Sequence, residues 1–144
     1  TEKGKRKSRG LFPTGFRNQG IKRIPIYGEI AAGPLRETPQ IELGSLLVSE
    51  ESAKDPCFAL RVVGDSMVDA GIHDGDLAVV ERKTEATQGD IVVAVVDDQF
   101  TLKTLARDKD GYHLLPANPN YPVIRPNGKL EIFGVLVGLV RKYQ

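Results

Sequence analysis

Few side chains in this sequence can do covalent chemistry, and one is set apart. Ser66 lies in "GDSMVDAGIHDGD" (64–76), between the apolar runs "FALRVV" (58–63) and "LAVV" (77–80). A few turn residues suffice to join two strands, yet this connection uses thirteen. A serine hydroxyl is a weak nucleophile and needs an adjacent base. The chain has two histidines, His73 and His113. His73 shares the loop with Ser66, but nothing supplies an orienting acid in a recognisable arrangement. His113 sits in the strand pattern "YHLLP" (112–116), where a packed or edge histidine is the plainer role. Lysine is the other base that partners serine. Lys103, in "QFTLKTL" (99–105), shares a strand face with Thr101 and Leu105, while Phe100 and Leu102 mark the other. Apolar neighbours desolvate a lysine and lower its pKa, and the neutral amine can take a proton from a serine. Strand lysines more often snorkel to solvent, so spacing alone leaves both roles open.

The surroundings of Ser66 add to the catalytic reading. Small residues around it allow a substrate backbone to approach and leave amides free as oxyanion donors. "GEIAAGPL" (28–35) is an extended segment whose small residues suit a narrow cleft. Met67 either shapes that cleft or fills a gap in the core. Asp65, Asp69, Asp74 and Asp76 lack the spacing of a calcium loop, and acids in turns need no ligand to explain them. Cys57 is the only cysteine. It excludes an internal disulfide, argues against a Cys-ligated zinc site, and reads as a small buried hydrophobe. No metal or cofactor is expected.

The elements that must position these groups are strands. At 144 residues, with 40% hydrophobic and 27% charged content, the chain has the size and composition of one globular domain. Short runs rich in Val, Ile and Leu recur from Ile24: "IPIYGEI" (24–30), "FALRVV", "LAVVE" (77–81), "DIVVAVVD" (90–97), "FTLKTL" (100–105), "YHLLP" and "LEIFGVLVGLV" (130–140). Asp97-Asp98 reads as a tight hairpin turn between two of them. "LGSLLVSEE" (43–51) reads as one short turn, and no helical pattern of ten residues occurs. A mostly β fold follows: a curled, partly closed sheet of about seven strands. The longest apolar stretch is too short for a spanning helix, so no membrane anchor or signal peptide is expected, and a reducing, cytoplasmic setting fits the single cysteine.

Charge divides the chain. Residues 1–23 carry eight Lys/Arg against one Glu, and residues 24–144 carry twelve against eighteen Asp/Glu. A basic arm and linker (1–23) therefore precedes a mildly acidic body (24–144). The arm is either a solvated tail or a set of contacts to nucleic-acid phosphates.

With these residues in view, the sequence resembles the LexA/UmuD group of self-cleaving proteins, the S24 serine peptidase family. "GDSMVDAGIHDGDLAVV" resembles the family's nucleophile segment, "DIVVAVVDDQFTLKTL" its lysine segment and "IAAGPL" its Ala-Gly cleavage segment. "LLPANPNYPVI" and "FGVLVGLVRKY" resemble its closing strands. The resemblance covers about residues 24–143 and keeps the order of cleavage segment, serine, then lysine 37 residues later. It implies a LexA C-terminal/signal-peptidase-like fold, with Ser66 as nucleophile and Lys103 as general base. It implies oxyanion donation from the backbone of Ser66 and Met67, and intramolecular cutting of the Ala32–Gly33 bond. As partners it implies a homodimer and a RecA–single-stranded DNA filament that stimulates cleavage in the SOS DNA-damage response.

Two branches of the family differ in what precedes this domain. LexA-type repressors carry a winged helix-turn-helix domain, whereas UmuD-type proteins carry a short arm and serve an error-prone DNA polymerase. "TEKGKRKSRGLF" resembles the end of a repressor's wing, and "AAGPL" resembles the LexA-type site rather than the Cys-Gly of UmuD. The expectation is a LexA-like repressor's peptidase and dimerisation part, with operator DNA bound only through a domain that this chain lacks. The UmuD-like polymerase subunit is the alternative. Signal peptidases share the Ser/Lys chemistry but need a membrane segment, and a pure dimerisation module would not cut itself.

Overall fold

The computed structural model describes residues 20–31, 44–51 and 56–141. They form eight strands: β1 (Ile21–Ala31), β2 (Gly44–Ser49), β3 (Cys57–Val63), β4 (Leu77–Arg82), β5 (Ile91–Val96), β6 (Gln99–Asp108), β7 (Gly111–Leu115) and β8 (Leu130–Val140). One 3-10 turn, Val68–Ala70, lies between β3 and β4, and there is no α-helix among the described residues. No helix there is long and apolar enough to cross a membrane.

All eight strands join one sheet in the order β2-β1-β3-β4-β8-β5-β6-β7. Every pairing is antiparallel except β1 with β3. The sheet is not closed, since β2 and β7 are edges. It is curled enough that β1 comes against β6, five places further along. A mostly β, curled sheet is therefore what the sequence implies, with eight strands rather than about seven.

The additional strand is β2, where "GSLLVS" reads as a short turn. Three consecutive apolar residues hide the alternation that burial reveals: Leu46 and Val48 are half-buried, while Leu47 between them is exposed. Leu46 and Val48 pack on the cluster of Ile24, Cys57, Ala59 and Val79. The Asp97-Asp98 hairpin forms as expected. Both residues take positive φ, 50° and 70°, the conformation of the two-residue turn that matches strand twist. Gly134 lets β8 cross β4 closely, because a Cβ there would lie 2.9 Å from the Glu81 carbonyl oxygen and clash with Val80.

The main core gathers Phe58, Leu60 and Val62 of β3, Ala78 and Val80 of β4, Val93, Phe100 and Leu102, together with Met67 and Ile72 from the long connection. That cluster holds the serine loop down. A second cluster, Val92, Ala94, Val96, Leu105, Leu114 and Val135, lies with β5 to β8.

Candidate active site

The thirteen-residue connection is a built structure rather than slack. Its base is closed by Val62 N donating to the Asp76 carbonyl and Gly75 N donating to the Val62 carbonyl, both at 2.8 Å. Gly64, Gly71 and Gly75 take positive φ, where other residues would be strained. At Gly71 and Gly75 a Cβ would meet nothing within 4 Å, so backbone conformation, not crowding, selects glycine there. Met67 and Ile72 are 2% and 1% exposed and anchor the loop in the core. Of the two roles open to the Met67 side chain, core filling is the one observed.

The acids of the loop have structural partners. Asp74 Oδ1 accepts from Gly64 N at 2.8 Å, and Asp65 Oδ1 accepts from the Tyr121 hydroxyl at 2.6 Å. Asp76 is buried and accepts from His73 N at 2.8 Å and from Arg141 Nε and Nη2 at 2.7 and 2.8 Å. The hydrogen bond from Arg141 is the chief reason its carboxyl is held below the usual carboxylate range. Arg141 also donates to the Gly71 carbonyl at 2.8 Å, tying β8's end to the far side of the loop.

Ser66 itself is 5% exposed. Its carbonyl accepts from Ala117 N at 2.8 Å, and Asp69 N donates back to the Ala117 carbonyl at 2.8 Å. Asn118 Nδ2 donates to the Asp65 carbonyl at 2.9 Å. The Ser66 segment is thus gripped from the stretch between β7 and β8.

Lys103 lies mid-way along β6, opposite Val92 of β5, and only 2% of it is exposed. It does not snorkel. Its amine donates to Thr101 Oγ1 at 2.8 Å, from the residue that shares its strand face. Among the described residues no hydrogen bond joins Lys103 to Ser66. Desolvation by burial pushes the amine down from 10.5 to about 8. About a tenth of it is then neutral at pH 7, against well under a thousandth for an ordinary lysine. Burial of this kind turns a surface cation into a base usable near neutral pH.

The remaining candidates fall elsewhere. His73 is exposed on the loop and uses its backbone amide, not its ring, in the hydrogen bond to Asp76. His113 is buried on the edge strand β7, with Nδ1 3.9 Å from Asp108. Cys57 is buried, and its thiol is pushed up by that burial. Ala32 and Gly33 lie outside the described residues, as does most of the basic arm. A groove of about 810 Å³ lined by Ala86, Val95, Leu105, Tyr112, Ile132 and Phe133 contains neither Ser66 nor Lys103. Chemistry, not volume, marks the site.

Asn118, Tyr121 and Arg141 are the residues that sequence reasoning misses. "PANPNY" (116–121) is dense in turn formers, which signals a loop but not which loop it holds. Their partners are 53, 56 and 65 residues away in sequence.

A curled β-sheet that carries a braced serine loop and a buried lysine fits a class of peptidase domain. The chain belongs to the Peptidase S24-like family, which it matches over residues 25–137, and is of the LexA type within it. It is 40% identical over 137 residues to the LexA repressor of Alcanivorax borkumensis, a match covering 94% of this chain and 67% of that protein. To the LexA repressor of Leptospira interrogans it is 42% identical over 123 residues, covering 83% and 60%. To that of Oleidesulfovibrio alaskensis it is 40% identical over 141 residues, covering 94% and 68%. The chain therefore spans roughly three fifths to two thirds of the length of these relatives.

Proposed function

We propose that this chain is the self-cleaving and dimerising part of a LexA-like repressor of the SOS response. Ser66 is its nucleophile and Lys103 its general base. Neutral Lys103 takes the proton from Ser66 Oγ, which attacks the Ala32 carbonyl. The Ser66 and Met67 amides stabilise the oxygen that becomes negative. Lys103 then returns the proton to the departing Gly33 nitrogen, leaving residue 32 as an ester on Ser66 that water hydrolyses. The observation that carries this reading is the burial of Lys103 with its amine near 8. An amine at the ordinary value would be almost wholly charged at neutral pH, and a charged amine accepts nothing.

Two equilibria gate the reaction: docking of residues 28–35 over Ser66, and loss of the Lys103 proton. By its family relationship, a RecA–single-stranded DNA filament acts as activator by preferring the docked form, the only way a ligand shifts such an equilibrium. The domain forms a homodimer in the cytoplasm, and operator DNA is read by a domain outside this chain. Incubation at alkaline pH followed by mass spectrometry and N-terminal sequencing tests the proposal. Two fragments are expected, the second beginning at Gly33. An intact chain, or a new terminus elsewhere, contradicts it.

A further inference from the structure

Each of the two amides assigned to the oxyanion belongs to a peptide unit whose carbonyl is itself held. A peptide unit is planar and trans, so fixing the direction of its C=O fixes the direction of the N–H across the same bond. The Ser66 N–H shares its unit with the Asp65 carbonyl, which accepts from Asn118 Nδ2 at 2.9 Å and, at the longer 3.3 Å, from Val68 N. The Met67 N–H shares its unit with the Ser66 carbonyl, which accepts from Ala117 N at 2.8 Å. Among the described residues neither N–H donates a hydrogen bond of its own.

The side chain that does the holding is itself fixed. Asn118 is 8% exposed, and its Oδ1 accepts from Asn120 N at 2.9 Å. That leaves its Nδ2 turned toward the Asp65 carbonyl. The turn is closed by Tyr121 N donating to the Asn118 carbonyl at 3.1 Å. Tyr121 then reaches across to the Asp65 carboxylate at 2.6 Å. One short segment therefore touches both peptide units that flank Ser66 and the side chain before it.

We propose that Asn118 is a positioning residue for the cleavage reaction. It aims the Ser66 N–H at the developing oxyanion, while its neighbour Ala117 aims the Met67 N–H. The inference rests on the reading of Ser66 as nucleophile. A carbonyl that accepts a hydrogen bond also polarises the N–H of the same unit, as in hydrogen-bonded chains generally. Asn118 thus acts on the tetrahedral intermediate through the amide, without touching it. Tyr121 supports the same geometry by holding the Asp65 side chain.

The test uses Asn118→Ala, Asn118→Asp and Tyr121→Phe, each read in two assays on the full chain. One is self-cleavage as a function of pH. The other is labelling of Ser66 by diisopropyl fluorophosphate, in which Oγ bonds to phosphorus, fluoride leaves and the proton passes to Lys103. Labelling does not need the cleavage segment, so it separates oxyanion geometry from docking. Deleting an oxyanion donor outright slows catalysis by about 100- to 1,000-fold. Loosening one donor should slow both assays by about 10- to 100-fold in the two Asn118 variants, with the pH midpoint unmoved. Asn118→Asp keeps the acceptor for Asn120 N but turns the donor to Asp65 into a carboxylate oxygen that repels that carbonyl, so it must be slow as well. Tyr121→Phe, which removes one exposed hydroxyl and should fold normally, is expected to slow both several-fold. Cleavage slowed with labelling unchanged, a native rate in Asn118→Asp, or native rates in Tyr121→Phe where the Asn118 variants fail to fold, each overturns the proposal. Failure of the nucleophile reading looks different: Ser66→Ala would then still cut itself, and the label would fall on another residue.

Discussion

Replacing Lys103 by Met should make the folded protein more stable at neutral pH, and the gain should vanish as the solution becomes alkaline. Folding lowers the amine from 10.5 to about 8, so the folded chain holds this proton less tightly than the unfolded one. Stability therefore rises with pH between about 8 and 10.5, and the full penalty is present below 8. A shift of about 2.5 units corresponds to about 3 kcal/mol. Methionine has a similar unbranched shape and carries no charge to desolvate. It also deprives Thr101 of its 2.8 Å hydrogen bond, a loss of about 1 kcal/mol. The variant should be more stable than the parent by about 2 kcal/mol at pH 7, and less stable by about 1 kcal/mol above pH 10.5. Both proteins would carry Ser66→Ala so that neither cuts itself. Urea unfolding followed by circular dichroism, at one protein concentration and at several pH values from 7 to 11, gives the difference directly. A difference that stays flat across that range, or a variant that is weaker at pH 7, refutes the burial argument for Lys103.

Met67→Ala should cost about 3 kcal/mol, because it empties a core position beside Phe58 and Ile72; a melting temperature within a degree or two of the parent contradicts the anchoring role. Asp76 has its carboxyl held below 3.8 by Arg141, so the stability it contributes is present above that value and is lost as pH falls below it. Acid titration of stability should show this loss in the parent and not in Asp76→Asn; parallel curves would count against the tie. Val137 and Leu139 leave 40% and 37% of their surface exposed on β8, and Val137→Glu with Leu139→Glu should shift sedimentation from dimer to monomer. A dimer persisting in the double variant places the interface elsewhere.

Periodicity made the strands legible where one face is buried and the other is not, or where both are. "LEIFGVLVGLV" reads as a strand and is β8 residue for residue. Its apolar character on both faces is used only in part by the core: Val135 is buried, while Val137 and Leu139 stay exposed. "GSLLVS" defeats the same reasoning, since an exposed Leu47 between two half-buried residues looks like a continuous apolar run. The lysine was legible in part. Its neighbours show that it shares a face with Thr101 and Leu105, but only the curl of the sheet makes that face an interior. The residues that brace Ser66 were not legible at all. Asn118 and Arg141 meet the serine loop through contacts more than fifty residues apart in sequence, and no local pattern encodes such a meeting.

The central claim, that a buried lysine takes the proton from Ser66 within one molecule, is tested most directly by the rate of self-cleavage between pH 6 and 11. Measurement at two protein concentrations, with Lys103→Ala beside the parent, completes the test. With Lys103 near 8, the rate should climb about tenfold per pH unit below that value and level off above it. It should be the same at both concentrations, and Lys103→Ala should not cleave. A bell-shaped profile would point to a different base, a rate rising with concentration would mean cutting between molecules, and near-native cleavage in Lys103→Ala would remove the lysine from the mechanism.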